Sequence, residues 1–267
     1  MRKVFEELTT AFRKHDGVLT QEQFSHIAMK HTTLLEDSDT IFILLQASGY
    51  PIEEEDGRYW LKTFFTPYTE QKYCVIDIET NGSKPGTSQV IEIGAVMMQD
   101  GKVIDSYETF VECAFLPEYI TKITGIEPED LIGAPTRREA LVGLRSFMDD
   151  AVFVAHNANF DYTFLDASFE RFGLGGIGNP VLCTIDLAKR TFESERYGLA
   201  YLIESLGMEE TCHHRAYSDA VCASNVLLKS FETLPEYVKT TDDLLQFAKS
   251  SKKTRRVKNE KLIVNSE

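Results

Sequence analysis

Residues 75–82 read Val75-Ile76-Asp77-Ile78-Glu79-Thr80-Asn81-Gly82, an apolar run that ends in two carboxylates and a glycine. The apolar residues from Tyr73 onward predict a short buried strand. Side chains two positions apart on a strand point to the same face, so Asp77 and Glu79 can reach one hard cation. Gly82 permits the tight exit that such a strand needs. The stretch predicts a central strand whose end carries a candidate metal site.

A second acidic cluster follows the apolar run at residues 151–155 and reads His156-Asn157-Ala158-Asn159-Phe160-Asp161. It is expected to begin a helix, with Asp161 in the first turn. A structural explanation stays open, because Asn157 or Asn159 can cap the helix and Asp161 can complement its dipole. That explanation is compatible with metal binding, since a carboxylate at a helix start is already well placed.

The third cluster contains His214 and Asp219, which are five residues apart. Five residues on a helix correspond to a rotation of about 140°, so the two side chains would not share one helical face. We therefore expect His214 on a loop and Asp219 in the first turns of the helix that follows. His213 precedes His214, but the spacing to Asp219 selects His214.

Together the three ordered clusters resemble the DEDDh (DnaQ-like) family of 3′→5′ exonucleases, and within it the epsilon, or proofreading, type of bacterial DNA polymerase III. The segment Ile123-Thr124-Gly125-Ile126 adds to a resemblance that covers residues 73 to 233. The resemblance implies a two-ion site for Mg²⁺ or Mn²⁺ and release of nucleoside monophosphates from a 3′ end. It implies these roles: Asp77, Glu79, Asp161 and Asp219 as metal ligands, His214 as catalytic base, and Thr80, Thr124 and Asn157 as substrate contacts.

The pattern of strands and helices agrees with this resemblance. Three strand patterns come in succession, and strands then alternate with helices, which is typical of a mixed sheet covered by helices. We predict an α/β fold: a ribonuclease-H-like mixed sheet with flanking helices in residues 73–235. A C-terminal helix and a basic tail are predicted in residues 236–267. The predicted strands begin at residues 73, 90, 103, 151 and 181, and the last of them runs to Ile185.

Residues 1–62 predict a separate unit of three helices and a β-hairpin around Asp56-Gly57, which resembles a winged helix. Residues 34–50, the expected recognition helix, contain no Lys or Arg, and the expected wing carries Glu53-Glu54-Glu55-Asp56. Phosphate would repel such a face, so we expect a protein contact here and not DNA binding. Residues 63–72 are predicted to be a linker that lies against a surface.

The overall charge is −14, which is unusual for a nucleic-acid-binding protein. Metal ions can supply positive charge where the phosphate must sit. Residues 249–261 contain seven Lys or Arg and one Glu, a basic segment that can contact a nucleic-acid backbone or simply be solvated. Five cysteines without a C-x-x-C pair, an acidic start and no long apolar run predict reduced thiols, a cytoplasmic location and no membrane contact.

These observations predict a metal-dependent 3′→5′ exonuclease that acts on nucleic-acid 3′ ends, with DNA favoured and a DNA polymerase subunit as a possible partner. An RNA 3′-end trimming exoribonuclease is one alternative. A non-catalytic, polymerase-associated interaction module is another, although the intact set of five site residues disfavours it. A winged-helix transcription regulator is disfavoured by the acidic N-terminal unit. The expected clamp-binding pattern, Q-x-x-L followed by two large apolar residues, is missing from the C-terminal region.

Overall fold

A computed structural model describes residues 2–30, 37–208 and 214–250. Helices and strands are numbered in chain order. The N-terminal unit comprises α1 (Arg2–Lys14), β1 (Val18–Thr20), α2 (Gln21–Lys30), α3 (Ser38–Ala47), β2 (Ile52–Glu55) and β3 (Arg58–Leu61). The larger unit comprises β4 (Tyr73–Thr80), β5 (Val90–Gln99), β6 (Lys102–Phe110), α4 (Glu118–Thr124), α5 (Arg137–Met148), β7 (Val152–Ala155), α6 (Ala158–Arg171), β8 (Val181–Cys183), α7 (Thr184–Thr191), α8 (Leu199–Ser205), α9 (Ala216–Phe231) and α10 (Thr241–Lys249).

The larger unit is built on a five-stranded sheet with the order β6-β5-β4-β7-β8. Strands β6, β5 and β4 are antiparallel neighbours, whereas β7 and β8 run parallel to β4. The carboxyl ends of β4, β7 and β8 therefore meet at one edge of the sheet, where loops and helix starts can gather functional side chains. The predicted ribonuclease-H-like mixed sheet is confirmed.

Strand β4 is buried on both faces because helices cover both sides of the sheet. Ile76 and Ile78 pack into a core with α5 and α6, and Val75 packs into a second core with α9 and α10. Burying each such side chain stabilises the fold by roughly 1.5–3 kcal/mol. The two cores hold β4 rigidly, and its acidic end is positioned with it.

The predicted fifth strand is too long. β8 ends at Cys183, and α7 begins at Thr184, inside the apolar run that the sequence pattern assigned to the strand. Ala188 is buried in a cluster with Cys222 and Val226 of α9. The packing of a helix against α9 thus overrides the local preference for a strand, which a short apolar run cannot reveal.

The N-terminal unit contains the three predicted helices and the predicted hairpin, together with the unpredicted strand β1, in a sheet of order β1-β3-β2. A capping box starts α2: Gln23 N donates to Thr20 Oγ1 at 3.3 Å, and Thr20 N donates to Gln23 Oε1 at 2.9 Å. The winged-helix assignment and the unit boundaries stay predictions.

The N-terminal unit is attached to the larger unit by hydrogen bonds and an ion pair. The Ser48 carbonyl accepts from Arg145 Nη1 and from Gly178 N, each at 2.7 Å. Arg13 of α1 pairs with the buried Asp242 of α10 at 3.0 Å. The segment between the units is also packed, since the ring of Tyr68 lies against Phe231 with centroids 5.2 Å apart. The predicted linker thus lies against a surface, as expected.

Cys222 is disulfide-bonded, so the prediction of five reduced thiols is wrong for this residue; Cys74, Cys113 and Cys183 are free. A sequence lacking C-x-x-C spacing does not show which cysteines the fold brings together.

No helix in the described ranges is long and apolar enough to span a bilayer. The basic segment after Ser250 lies outside the described residues.

Candidate active site

Asp77 and Asp161 approach each other where β4 meets the start of α6. Asp161 lies in the first turn of α6, only 3% exposed, and its Oδ1 accepts a hydrogen bond from Ile78 N at 3.3 Å. Ile78 follows Asp77 directly on β4, so the second acidic cluster delivers its carboxylate to the first. The parallel pairing of β4 and β7 produces this contact, because α6 begins directly after β7.

Glu79, His214 and Asp219 form the other half of the site. One ligand atom from each lies within 4.8 Å of the other two. His214 is exposed and has a φ of 52°, in the left-handed region, whereas Asp219 is buried in the first turn of α9. The predicted positions, a loop for the histidine and a helix start for the carboxylate, are confirmed. The fold thus gathers all three acidic clusters at one edge of the sheet.

The electrostatics of this cluster favour a cation. Burial, followed by the charges of Asp161, Asp219, Glu79 and Glu92, raises the pKa of Asp77 well above its usual range. Burial and neighbouring carboxylates raise the pKa of Glu79 to about 8, and burial raises that of Asp161 to about 7. Crowded carboxylates of this kind are stabilised in their charged forms by a hard divalent ion with oxygen ligands. The donor set suits Mg²⁺ or Mn²⁺.

Glu92 is a further buried acid at this site and lies outside the three acidic clusters of the sequence. It is 1% exposed and lies opposite Glu79 in the register of β4 and β5. Its carboxylate accepts hydrogen bonds from the Arg215 guanidinium at 2.8 and 3.0 Å and from Ala216 N at 3.0 Å. It thereby binds the start of α9 to β5. The available signal in the sequence was a single charge in the otherwise apolar run from Val90 to Met98.

Gly94 allows α9 to approach the sheet closely. A Cβ added to Gly94 would lie 2.1 Å from Tyr217 N and 2.2 Å from the carbonyl carbon of Ala216. Only a residue without a side chain fits between β5 and the first turn of α9. This close contact places Asp219, one turn along α9, beside the end of β4.

The three residues predicted to contact the substrate differ in whether their side chains are free to bind a ligand. Asn157 occupies the N-cap position of α6 with a φ of 72°, but its exposed side chain makes no capping hydrogen bond and is available to a ligand. Thr80 is buried, and its hydroxyl donates to the Gly82 carbonyl at 2.9 Å. The Thr124 hydroxyl is buried at the end of α4, where it donates to Ile120 O and accepts from Ile126 N. Because this hydroxyl is buried and already bonded within the protein, the structure disfavours the predicted contact between Thr124 and the terminal nucleotide.

His156 of the second cluster has a structural role. Its Nε2 lies 2.9 Å from Tyr197 O and its Nδ1 lies 2.8 Å from Thr184 Oγ1. A carbonyl only accepts, so Nε2 carries the hydrogen, and in the neutral ring Nδ1 accepts from the threonine hydroxyl. Burial lowers the pKa of this histidine, which favours the neutral ring. His156 thus ties the end of β7 to the start of α7.

A mixed sheet of this order, with carboxylates and a histidine gathered at the carboxyl end of its central strand, defines a ribonuclease-H-like nuclease. The RNase_T family model, described as "Exonuclease", matches residues 74–227. The chain belongs to this exonuclease family.

Similar sequences occur within much longer proteins. The chain is 38% identical over 170 residues to the "DNA polymerase III PolC-type" of Staphylococcus haemolyticus, which covers 62% of this chain and 12% of that protein. It is also 38% identical over 194 residues to the same type of protein from Staphylococcus saprophyticus, covering 72% of this chain and 13% of the relative. The match is thus to a small part of these polymerases.

Solved structures share the fold. E. coli Exonuclease I in complex with a dT13 oligonucleotide superposes with a TM-score of 0.53 at 16% identity, covering 60% of this chain and 40% of that one. Exonuclease X in complex with 5′ overhanging duplex DNA gives a TM-score of 0.53 at 21% identity, covering 66% and 99%. At these identities the likeness shows the ribonuclease-H-like fold alone.

Proposed function

We propose that this protein is a metal-dependent 3′→5′ exonuclease that releases nucleoside monophosphates from DNA 3′ ends, in proofreading or repair. The observation that carries the proposal is the convergence of Glu79, His214 and Asp219 within 4.8 Å, beside the adjoining pair Asp77 and Asp161. A family that cleaves phosphodiester bonds and a cluster of acids that favours a cation support the same chemistry.

Each residue then has a role that follows from its position. Asp77, Glu79, Asp161 and Asp219 would hold two Mg²⁺ or Mn²⁺ ions, which would supply positive charge for the scissile phosphate and for the attacking and leaving oxygens. His214 lies within 4.8 Å of the Glu79 and Asp219 oxygens and takes the proton of the attacking water at its ring nitrogen. The exposed amide of Asn157 and the turn held by Thr80 contact the terminal nucleotide.

DNA is the favoured polymer because the curated relatives are DNA polymerases and both structural neighbours were solved with DNA. Association with a polymerase is proposed on the same relatives. A proofreading role predicts faster removal of a mismatched than of a matched 3′ nucleotide from a primer annealed to its template. Equal rates on the two primers would favour repair or end trimming.

The direct test uses single-stranded DNA and RNA of matched sequence, labelled at the 5′ end. The expected result is a ladder that shortens from the 3′ end with Mg²⁺ or Mn²⁺ and disappears with EDTA or in the Asp219→Asn variant. Asp105→Asn, which changes an exposed acid on β6, is the matched control and should leave the ladder intact. Faster RNA cleavage would favour the exoribonuclease alternative, and no cleavage of either polymer would contradict the proposed activity.

A further inference from the structure

A cleft of about 490 Å³ lies between α1 of the N-terminal unit and the β8 edge of the central sheet. Residues from both units line it, including Arg2, Thr9 and Arg13 on one side and Asn159, Val181 and Lys249 on the other. A second cavity of about 530 Å³ shares Asp186, Ala248 and Lys249 with the first. The two cavities therefore adjoin, the first between the units and the second on the larger unit, and together they are called the groove.

The groove begins beside the candidate active site. Ala158 and Asn159, in the first turn of α6, line the cleft, and Asp161 belongs to the same turn. Residues two apart on a helix point in different directions, so Asn159 faces the cleft while Asp161 faces β4. Two residues correspond to a rotation of about 200°, so the first turn of α6, roughly 10 Å across, lies between the cleft and the carboxylate cluster.

Cations are concentrated in this groove although the chain has a net charge of −14. Two of its acids are paired with its own arginines, Asp242 with Arg13 at 3.0 Å and Glu6 with Arg2 at 3.4 Å. The second cavity adds Lys189 and Arg190. Within the described ranges Lys189, Arg190 and Lys249 form no ion pair, and Asp186 is the remaining acid that faces them.

The position of Lys249 indicates that an anion would be accommodated here. Partial desolvation of its ammonium at this otherwise exposed residue, together with the nearby Arg13 charge, lowers the pKa of Lys249, and Asp242 offsets only part of this effect. Two cations held close together are stabilised when a negative group enters between them. The exposed amide of Asn159 lines the same space and can donate hydrogen bonds to phosphate oxygens.

Building on the proposed function, we propose that this groove binds the phosphodiester backbone of a single-stranded nucleic acid on the 5′ side of the nucleotide being removed. The strand's 3′ end then lies at the carboxylates, and the preceding nucleotides pass between the two units. The N-terminal unit takes part in substrate binding through α1, while its acidic hairpin does not.

The test compares a long and a short substrate, 5′-fluorescein dT16 and dT3, with the double variant Lys189→Ala/Lys249→Ala. Both lysines are exposed, so neither substitution leaves a cavity in the core. The control is Lys102→Ala/Lys239→Ala, which removes two exposed lysines away from the groove. Fluorescence anisotropy in EDTA measures dT16 binding over a range of NaCl concentrations, and cleavage with Mg²⁺ measures kcat/KM for both oligonucleotides.

The expected result is that the groove variant binds dT16 about tenfold more weakly at 50 mM NaCl. The slope of log K against log salt should be shallower by about 1.4, corresponding to two lost phosphate contacts at roughly 0.7 each. The ratio of kcat/KM for dT16 to that for dT3 should fall in the groove variant and stay constant in the control. Unchanged dT16 affinity and salt slope would overturn the proposal. If the wild type cleaves neither oligonucleotide, the proposed activity fails, while dT16 binding in EDTA still decides the role of the groove.

Discussion

The guanidinium of Arg215 donates two hydrogen bonds to one oxygen of the buried Glu92, from Nε at 3.0 Å and from Nη2 at 2.8 Å. The other oxygen of Glu92 accepts from Ala216 N at 3.0 Å. Arg215 follows His214 and precedes α9, so this pair connects the loop with the histidine and the helix with Asp219 to the strand opposite Glu79. Glu92 is therefore a positioning residue for the candidate active site.

Replacing Glu92 with glutamine should lower kcat by about 10–100-fold with little change in KM, the usual range for residues that orient metal ligands. Glutamine keeps the shape but removes the charge that holds Arg215, so the loop with His214 is less well placed. Steady-state kinetics on labelled single-stranded DNA measure the effect. Glu236→Gln, an exposed acid, is the control. A variant with full kcat would show that the pair has only a structural role, as would a lower melting temperature that fully explains the loss.

His214→Ala should reduce cleavage by about 10²–10⁴-fold, the usual contribution of a general base, while leaving nucleic-acid binding almost unchanged. The side chain is exposed, so its removal costs little stability. Single-turnover cleavage and anisotropy in EDTA separate the two effects. His26→Ala, an exposed histidine on α2, should behave as the wild type. Equal losses of binding and cleavage would argue against a role as base.

The metal-free protein should lose stability as the pH rises. The pKa of Glu79 is raised from 4.5 to about 8 and that of Asp161 from 3.8 to about 7. Between these values the folded state holds protons that the unfolded state has released, so the free energy of unfolding falls with increasing pH. In EDTA, the melting temperature should be lower at pH 8 than at pH 5.5 because of these groups.

Added Mg²⁺ or Mn²⁺ should raise the melting temperature more at pH 8 than at pH 5.5, because ions bind the deprotonated carboxylates. Differential scanning fluorimetry measures both effects. The double variant Glu79→Gln/Asp161→Asn should weaken the pH dependence and remove the response to metal. A metal response that is the same at both pH values, or that survives in this variant, would contradict the assignment of the carboxylates.

Gly94→Ala should destabilise the protein by about 1–3 kcal/mol or more, because the added methyl group would overlap the backbone of Ala216 and Tyr217 and no flexible side chain can give way. Activity should fall together with stability, since Asp219 moves with α9. Chemical denaturation measures the free energy of unfolding. Gly86→Ala is the matched control, because a Cβ there meets nothing within 4 Å. Equal stabilities of the two variants would show that α9 does not depend on this close contact.

Much of the site was predictable because the residue spacing within each motif fixes where its side chains lie on a strand, a loop or a helix. The spacing of Asp77 and Glu79 placed both on one face of a strand, and the spacing of His214 and Asp219 placed them on a loop and a helix. The site residues that the sequence missed or misjudged depend on contacts across the sheet. Glu92 functions through Arg215, 123 residues away, and the buried position of Thr124 follows from how α4 ends.

The amino-acid sequence by itself determined the five strands of the central sheet and the chemistry of the acidic clusters, because periodicity and residue type act over a few neighbouring positions. The tertiary structure decided the end of β8, the contact between β5 and α9 through Gly94, and the cationic groove between the two units. Each of these depends on residues that are far apart in the chain, and their contacts appear only after the sheet and the two cores have formed. The groove is the clearest case, since Arg13 and Lys249 lie at opposite ends of the described chain and meet in one cavity.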